Sequence, residues 1–247
     1  MLATGRTYAA PFRLSPGHSS EEGLRHLAEL RAQIAKASKV IVVGGGATGV
    51  ETAGEIKSAF PAQTVVLVHS KEHLLNTQHS VTPKKAAKLL AKLQALGVDV
   101  RLNQTFQEDE VEDVALVIWA NRSTPNTAWI PQELLDKKGL VKADKYLRVE
   151  GWKNVFCAGD IVSNFEPSLK TAKFVHAPVI VSNLLAVIDG KEPKKEVGRL
   201  PGFVDDAFVA TLGKHQSFSV GLLAKMFEGG KRKNFRIDQA QAALIVK

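Results

Sequence analysis

Val40-Ile41-Val42-Val43-Gly44-Gly45-Gly46-Ala47-Thr48-Gly49-Val50-Glu51 is the stretch that decides the fold. Four apolar residues in a row run into glycine, which predicts a buried strand. A helix is predicted from Ala47 to Ala59, stopping before Pro61. Gly44, Gly46 and Gly49 stand between them at G-x-G-x-x-G spacing. The first glycine makes the tight turn and the second lets backbone approach a pyrophosphate. The third lets the helix pack closely on the strand. Ala47 and Thr48 open the helix, where unpaired amides and the positive dipole end face the phosphates. Dinucleotide binding is the expectation, against a bare helix–strand crossing with nothing bound.

Outward from this unit the alternation continues. Thr64-Val65-Val66-Leu67-Val68 is a second buried strand. Thr82-Pro83 caps a helix that ends at Gly97, and strands return at Val98 to Leu102 and Leu116 to Trp119. Upstream, Ser19 and Glu22 have capping-box spacing ahead of Leu24, Leu27, Leu30 and Ile34. Strand–helix–strand order of this kind implies an α/β fold with a parallel sheet. An NAD site usually carries an acid at the end of the second strand, bonded to the ribose 2′-hydroxyl. That place holds His69, Ser70 and Lys71. No carboxylate is there to repel a 2′-phosphate, and each of the three side chains can contact one. The expectation is NADPH, with NADH as the alternative and a merely solvated strand end as the bland reading.

After Pro131 the texture changes. Leu140 to Val149 is polar and β-prone, and Asn154 to Ala158 is a predicted buried strand ending at Gly159-Asp160. A helix is predicted from Ser168 to Ile188, interrupted by Pro178. The solvated run Asp189 to Lys195 marks a boundary, and two strand candidates follow at Ala207 to Leu212 and Ser217 to Val220.

Composition excludes several classes. With 45% apolar and 23% charged residues the chain of 247 has the make-up of a globular protein. A single cysteine, Cys157, leaves no intrachain disulfide and no dithiol centre. No uninterrupted apolar run reaches the ~18 residues that would span a bilayer, and the first residues do not read as a signal peptide. His69, His73 and His79 lack the H-E-x-x-H spacing of a zinc helix, so no metal is expected. The net charge of +8 and the run Lys231-Arg232-Lys233 admit an anionic surface as partner. Neither a nucleic-acid motif nor aromatic interleaving accompanies them.

The segment Val42 to Ile56 resembles the nicotinamide-nucleotide segment of the apoptosis-inducing-factor-like and ferroptosis-suppressor-like FAD-dependent NAD(P)H oxidoreductases, relatives of the type II NADH dehydrogenases. Leu2-Ala3-Thr4-Gly5 resembles the A-T-G strand end that contacts FAD in that family. Leu116 to Ala120 with Thr124-Pro125-Asn126-Thr127 resembles the exit from the nucleotide domain. Val155 to Asp160 resembles the second FAD motif. The resemblance implies hydride transfer from NAD(P)H to flavin and electrons onward to a quinone or another small-molecule acceptor. It implies that Glu51 lies near the nicotinamide carboxamide, that Gly159 and Asp160 hold the flavin's ribityl chain, and that Lys170-Thr171 begin the helix beside the isoalloxazine. Lys231 is implied near the flavin, as the candidate catalytic residue.

The expected architecture is a Rossmann-like NAD(P)-binding domain, residues 37–125, inserted in an incomplete FAD-binding domain, 1–36 and 126–195. A small α+β C-terminal domain, 196–247, follows. Two departures stand out. The family's A-T-G at the domain exit is Ala120-Asn121-Arg122 here, and the sequence holds one strand–G-x-G-x-x-G–helix unit where the family has a further one for the FAD pyrophosphate. Three readings therefore compete: a flavin-dependent oxidoreductase, a nucleotide-binding protein or fragment without flavin, and, on charge alone, a basic protein at a nucleic acid or membrane surface. A cytoplasmic place is expected, with peripheral membrane contact, a mitochondrial location and a homo-oligomer left open.

Overall fold

The computed structural model describes residues 1–13, 17–78, 80–108, 115–165, 168–198, 207–213 and 216–221. In chain order its elements are β1 (Arg6–Tyr8), α1 (Ser20–Lys36), β2 (Lys39–Val43), α2 (Ala47–Ala59), β3 (Thr64–Val68) and α3 (Pro83–Leu96). They continue with β4 (Val98–Arg101), β5 (Ala115–Trp119), β6 (Ser123–Pro125), α4 (Ala177–Ile188), β7 (Phe208–Thr211) and β8 (Ser217–Val220). The caps written in the sequence are made. Ser19 Oγ accepts from the Glu22 amide while the Glu22 carboxylate accepts from the Ser19 amide. α3 has Pro83 in its first turn and ends on Gly97 at φ 95°, a left-handed position that suits glycine.

Four strands form one parallel sheet in the order β4-β3-β2-β5. Counted along the chain, these are the third, second, first and fourth strands of the sheet. The order therefore reverses between β2 and β5, and in such sheets ligands bind at that crevice beyond the strands' carboxyl ends. Val40, Val42 and Leu67 of the strands, Val50 and Ala53 of α2, and Leu89 and Leu93 of α3 are fully buried in one cluster.

The chain divides into two units, one of residues 1–8 with 123–202 and one of 9–122 with 203–247. This differs from the four expected segments. Helix α1 and the β7–β8 hairpin group with the parallel sheet, because Ile34 of α1 and Ala210, Leu212, Phe218 and Val220 of the hairpin lie in the sheet's own buried cluster. Gly54 makes room for the hairpin: a Cβ there would come within 2.9 Å of the Leu212 Cα. Polar ties complete the docking. The Glu51 carboxylate accepts from the Thr211 amide, the Glu55 carboxylate from the Gly213 amide, and Lys92 Nζ donates to the Ser217 carbonyl.

The other unit pairs β1 with β6 antiparallel and buries Val141, Leu147, Cys157, Ile161 and Val162. The strand predicted at Asn154 to Ala158 is reduced to two isolated bridges, Leu2 with Cys157 and Arg148 with Phe156. A strand is defined by its neighbours, and the partners here meet it at one residue each. The helix predicted from Ser168 is a π-helix over Thr171–His176 that tightens into α4. Pro178 lies in the first turn of α4 and offers no amide for an α bond backward, so the wider turn precedes it. Thr171–Ile188 has a mean hydropathy of 1.5 and is long and apolar enough to cross a membrane by length and composition. Lys173 interrupts its apolar run. Its inner side is bound into the protein: Asn183 Nδ2 donates to the Tyr146 and Lys195 carbonyls, while Phe174, Val181, Leu185 and Ile188 are exposed.

Candidate functional site

The glycine turn sits at the point where the strand order reverses. Gly44 adopts φ 115°, and its amide donates to the Val68 carbonyl, tying the turn to the end of β3. A Cβ on Gly49 would fall 1.7 Å from the Gly44 carbonyl oxygen, so helix and turn touch backbone to backbone. Gly46 is the N-cap of α2, and without a side chain it leaves the first-turn amides uncapped. Among the described residues, nothing lies within 4 Å of where its Cβ would be. Ala47 and Thr48 follow, so the helix end presents bare amides to open space, which suits a phosphate.

That space is a cleft of about 330 Å³, lined by Val43 to Gly46, Val68 to Ser70, Asn76 and Thr77, Gln104 to Phe106, and Trp119 to Asn121. Ala120 is placed by its amide, which donates a hydrogen bond to the Val43 carbonyl. Two lining residues, with Arg122 next to them, carry a structure that sequence reading missed. Phe106 meets Trp119 edge-on at 5.4 Å between centroids, and the Arg122 guanidinium lies 3.4 Å over the Trp119 ring. Glu108 pairs with Arg122 at 2.6 Å. The departure at Arg122 thus places a cation on an aromatic wall. Trp119 at the end of a strand beside the glycine turn was the available signal.

His69 and Ser70 line the cleft and Lys71 does not. His69 is almost wholly buried, and both its ring nitrogens face protein groups. Glu51 is half-buried on α2 with its carboxylate against the Thr211 amide of β7.

In the other unit the FAD-motif residues come together. Thr4 Oγ1 donates to the Asn126 carbonyl, Asn126 Nδ2 donates back to the Thr4 carbonyl, and the Asn126 amide donates to Gly5, which has φ 65°. Ala3 follows Leu2, whose carbonyl takes the Ala158 amide, so the A-T-G segment is fastened beside Gly159 and Asp160. Gly159 has φ 75° and open space where a Cβ would stand. Tyr8 shares a hydrogen bond with Asp160; burial first, and then the Asp160 charge, raise its phenol above the ordinary tyrosine range. Thr171 is fixed by Ser168, whose Oγ takes the Thr171 amide at 3.0 Å, with Lys170 alongside. His176 is fully buried; its Nδ1 accepts from the Gly159 amide, its ring meets Phe165 at 4.6 Å, and its Nε2 has no hydrogen-bond partner among the described residues. Neither Tyr8 nor His176 was legible as a site residue. Lys231 lies outside the described residues.

Cys157 is buried beside this cluster, and burial, with Asp144 adding to it, pushes its thiol up to about 12. A thiolate is the reactive form, so this side chain is held inert. Labelling with a thiol reagent is expected to give no adduct in the folded chain at neutral pH and one equivalent after denaturation; rapid native labelling would contradict the burial.

The sheet order, the uncapped glycine end of α2 and the cleft beside it define a Rossmann-type nucleotide-binding protein. Residues 1–177 match the family of pyridine nucleotide-disulphide oxidoreductases, and the chain belongs to it. It is 27% identical to ferroptosis suppressor protein 1 of Taeniopygia guttata over 90% of this chain and 65% of that protein. To the Mus musculus protein of the same name it is 24% identical, over 99% of this chain and 69% of the relative. The chain thus spans about two thirds of the length of these relatives. Among solved structures it resembles the water-forming NADH oxidase from Lactobacillus brevis bound to NADH, with a TM-score of 0.61 and 17% identity over 92% of this chain and 53% of that one. An FAD-dependent pyridine nucleotide-disulphide oxidoreductase from Desulfovibrio vulgaris gives 0.58 and 18% identity over 92% and 62%. Though the family name speaks of disulphides, this chain has one cysteine.

Proposed function

We propose that the chain binds a nicotinamide dinucleotide, NADPH in preference to NADH, and works as part of an FAD-dependent oxidoreductase passing electrons to a quinone or another small-molecule acceptor. The observation that carries this is the uncapped α2 end at Gly46, with room for a phosphate where a side chain would stand. The pyrophosphate would take the first-turn amides of α2, and Phe106 and Trp119 would wall the cleft beside it. Ser70 and Lys71 would take a 2′-phosphate, since the nitrogens of His69 already have partners.

For FAD, the residues fit the ribityl end. Gly159 leaves backbone open to approach, Asp160 offers a carboxylate and Tyr8 a hydroxyl, and the orphaned His176 Nε2 is a buried donor in the same cluster. When bound, the flavin supplies acceptance of a hydride and release of single electrons. The chain's own residues supply stacking surface, amide donors and exclusion of water. The basic-surface reading has only charge in its favour.

The test is a nucleotide titration of the purified chain, with its absorption spectrum recorded with and without added FAD. Tighter binding of NADPH than NADH, and a perturbed flavin band, are expected. Lys71→Ala should weaken NADPH about tenfold and leave NADH unchanged, since a charge-assisted bond contributes ~1.5–3 kcal/mol. Binding of neither nucleotide would refute the proposal.

A further inference from the structure

One wall of the cleft is a clasp around Gly45. Gly45 is held from both ends: its amide donates to His69 Nδ1 at 3.1 Å, and its carbonyl accepts from the Leu75 amide at 2.8 Å. Because the amide is a donor, Nδ1 carries no proton. The ring proton is therefore on Nε2, which faces the His73 carbonyl and Asn76 Oδ1, each at 3.1 Å. The imidazole is also wedged against the turn. A Cβ on Gly45 would meet His69 Cγ at 2.6 Å and Leu74 Cδ2 at 2.7 Å. His69 is fixed through its backbone as well, its amide on the Arg101 carbonyl of β4 and its carbonyl taking the Gln104 amide.

We propose that His69 is a positioning residue which, only as the neutral Nε2–H tautomer, holds the glycine turn in its phosphate-binding shape, so that mild acid releases nicotinamide nucleotide from this protein. The inference rests on the nucleotide reading above. A second ring proton would set two donors face to face, the imidazolium Nδ1–H and the Gly45 N–H, and neither has another acceptor within the clasp. Gly45 then turns away, and Gly44 and Gly46 on either side of it move with it. The helix end loses the approach that the pyrophosphate uses.

The surroundings oppose that second proton. Burial holds the imidazole below the ordinary histidine range; its bonds to Asn76 and His73 resist this, and the Lys71 charge adds to it. Of the neighbouring groups, the His73 ring on the same segment lies 3.7 Å from the Glu72 carboxylate, and Arg101 on β4 pairs with Asp99. Neither the glycine turn nor the Gln104 to Phe106 stretch brings a charged side chain. The sign follows. The unfolded chain takes the proton near 6.5, so the stability that neutral His69 confers is complete above that pH. It is lost as pH falls below it, through the depressed folded value.

The experiment measures NAD⁺ and NADP⁺ affinity of the full chain from about pH 8 to about pH 5, the window in which histidines titrate. Both oxidised nucleotides survive acid, and the difference between them reports the 2′-phosphate's own titration. The amide resonance of Gly45 and the ring nitrogens of His69 are followed over the same range. Wild type is expected to lose at least about tenfold in affinity for both nucleotides, in step with the Gly45 resonance. His69→Asn keeps an acceptor near the Nδ1 position and cannot protonate, so it should bind with a flat profile. His69→Phe, lacking the acceptor, should bind weakly throughout, and His73→Gln should behave as wild type. His176 is present in every variant, so its titration cancels. An unchanged acid loss in His69→Asn overturns the proposal, as does a Gly45 resonance indifferent to His69 protonation. If wild type binds neither nucleotide at pH 8, the nucleotide reading falls, while the resonances still decide the clasp.

Discussion

Gly49→Ala is expected to abolish nucleotide binding and lower Tm by about 5–10 °C, while Gly46→Ala weakens binding at least about tenfold with Tm unchanged to within ~1 °C. The two glycines lie in one motif, three residues apart, and their surroundings are opposite. A methyl on Gly49 would sit 1.7 Å from the Gly44 oxygen and 2.9 Å from the Gly44 carbonyl carbon, both backbone atoms. Gly44 cannot retreat freely, since the space beside it is filled by Asn121, whose Cβ would be 2.8 Å from a Cβ there. Relief requires moving the helix off the strand, and overpacking of this kind costs ~1–3 kcal/mol, occasionally more. At Gly46 the backbone has φ −74°, ordinary for alanine, and no atom of the described residues stands within 4 Å of the new methyl. The protein does not feel that methyl; a phosphate does. Calorimetric unfolding and nucleotide titration of both variants check the pair. Wild-type affinity in Gly46→Ala would mean that no phosphate approaches this helix end.

Much of this was legible because it is local. The capping box at Ser19, the Thr82-Pro83 start, the Gly97 stop and the strand–glycine–helix unit are set by neighbours in sequence, and each stands where the residues place it. Family membership was legible for the same reason, as a set of short motifs in order. What escaped depends on distant partners. Asn154 to Ala158 has the composition of a strand, yet its bridges are single residues at Leu2 and Arg148. His69 reads as a polar residue at a strand end; only the fold shows that its ring is buried under Gly45. The aromatic wall joins Phe106 to Trp119 at the end of β5, and the meeting of Tyr8 with Asp160 joins residues far apart in the chain. No periodicity or motif encodes such pairs.

The hairpin is the sharpest instance, and it yields the second large effect. Leu212→Ala is expected to destabilise the unit built on the parallel sheet by ~2–5 kcal/mol, the usual cost of emptying a leucine site in a core. Leu212 is 1% exposed and lies in the cluster that holds Val50, Ala53 and Ile56 of α2. It sits where Gly54 admits it, at the place a Cβ would contest. Leu185→Ala on α4, at a residue 57% exposed, should change stability by no more than ~0.5 kcal/mol. Hydrogen exchange distinguishes a docked hairpin from an independent one, since amides open in cooperative units. If β7 and β8 belong to the core of the sheet, Leu212→Ala speeds exchange in α2 and β2 together with residues 207–221. Faster exchange confined to 207–221, with α2 and β2 as protected as before, would make the hairpin a separate C-terminal domain. The former result extends to the site. α2 carries the uncapped end at Gly46, the proposed phosphate site, and, through Glu51 and Glu55, holds Thr211 and Gly213 farther along the same helix. A helix anchored along its flank by the hairpin keeps its N-terminus aimed at one place, so the hairpin's apolar side chains serve the cleft without lining it.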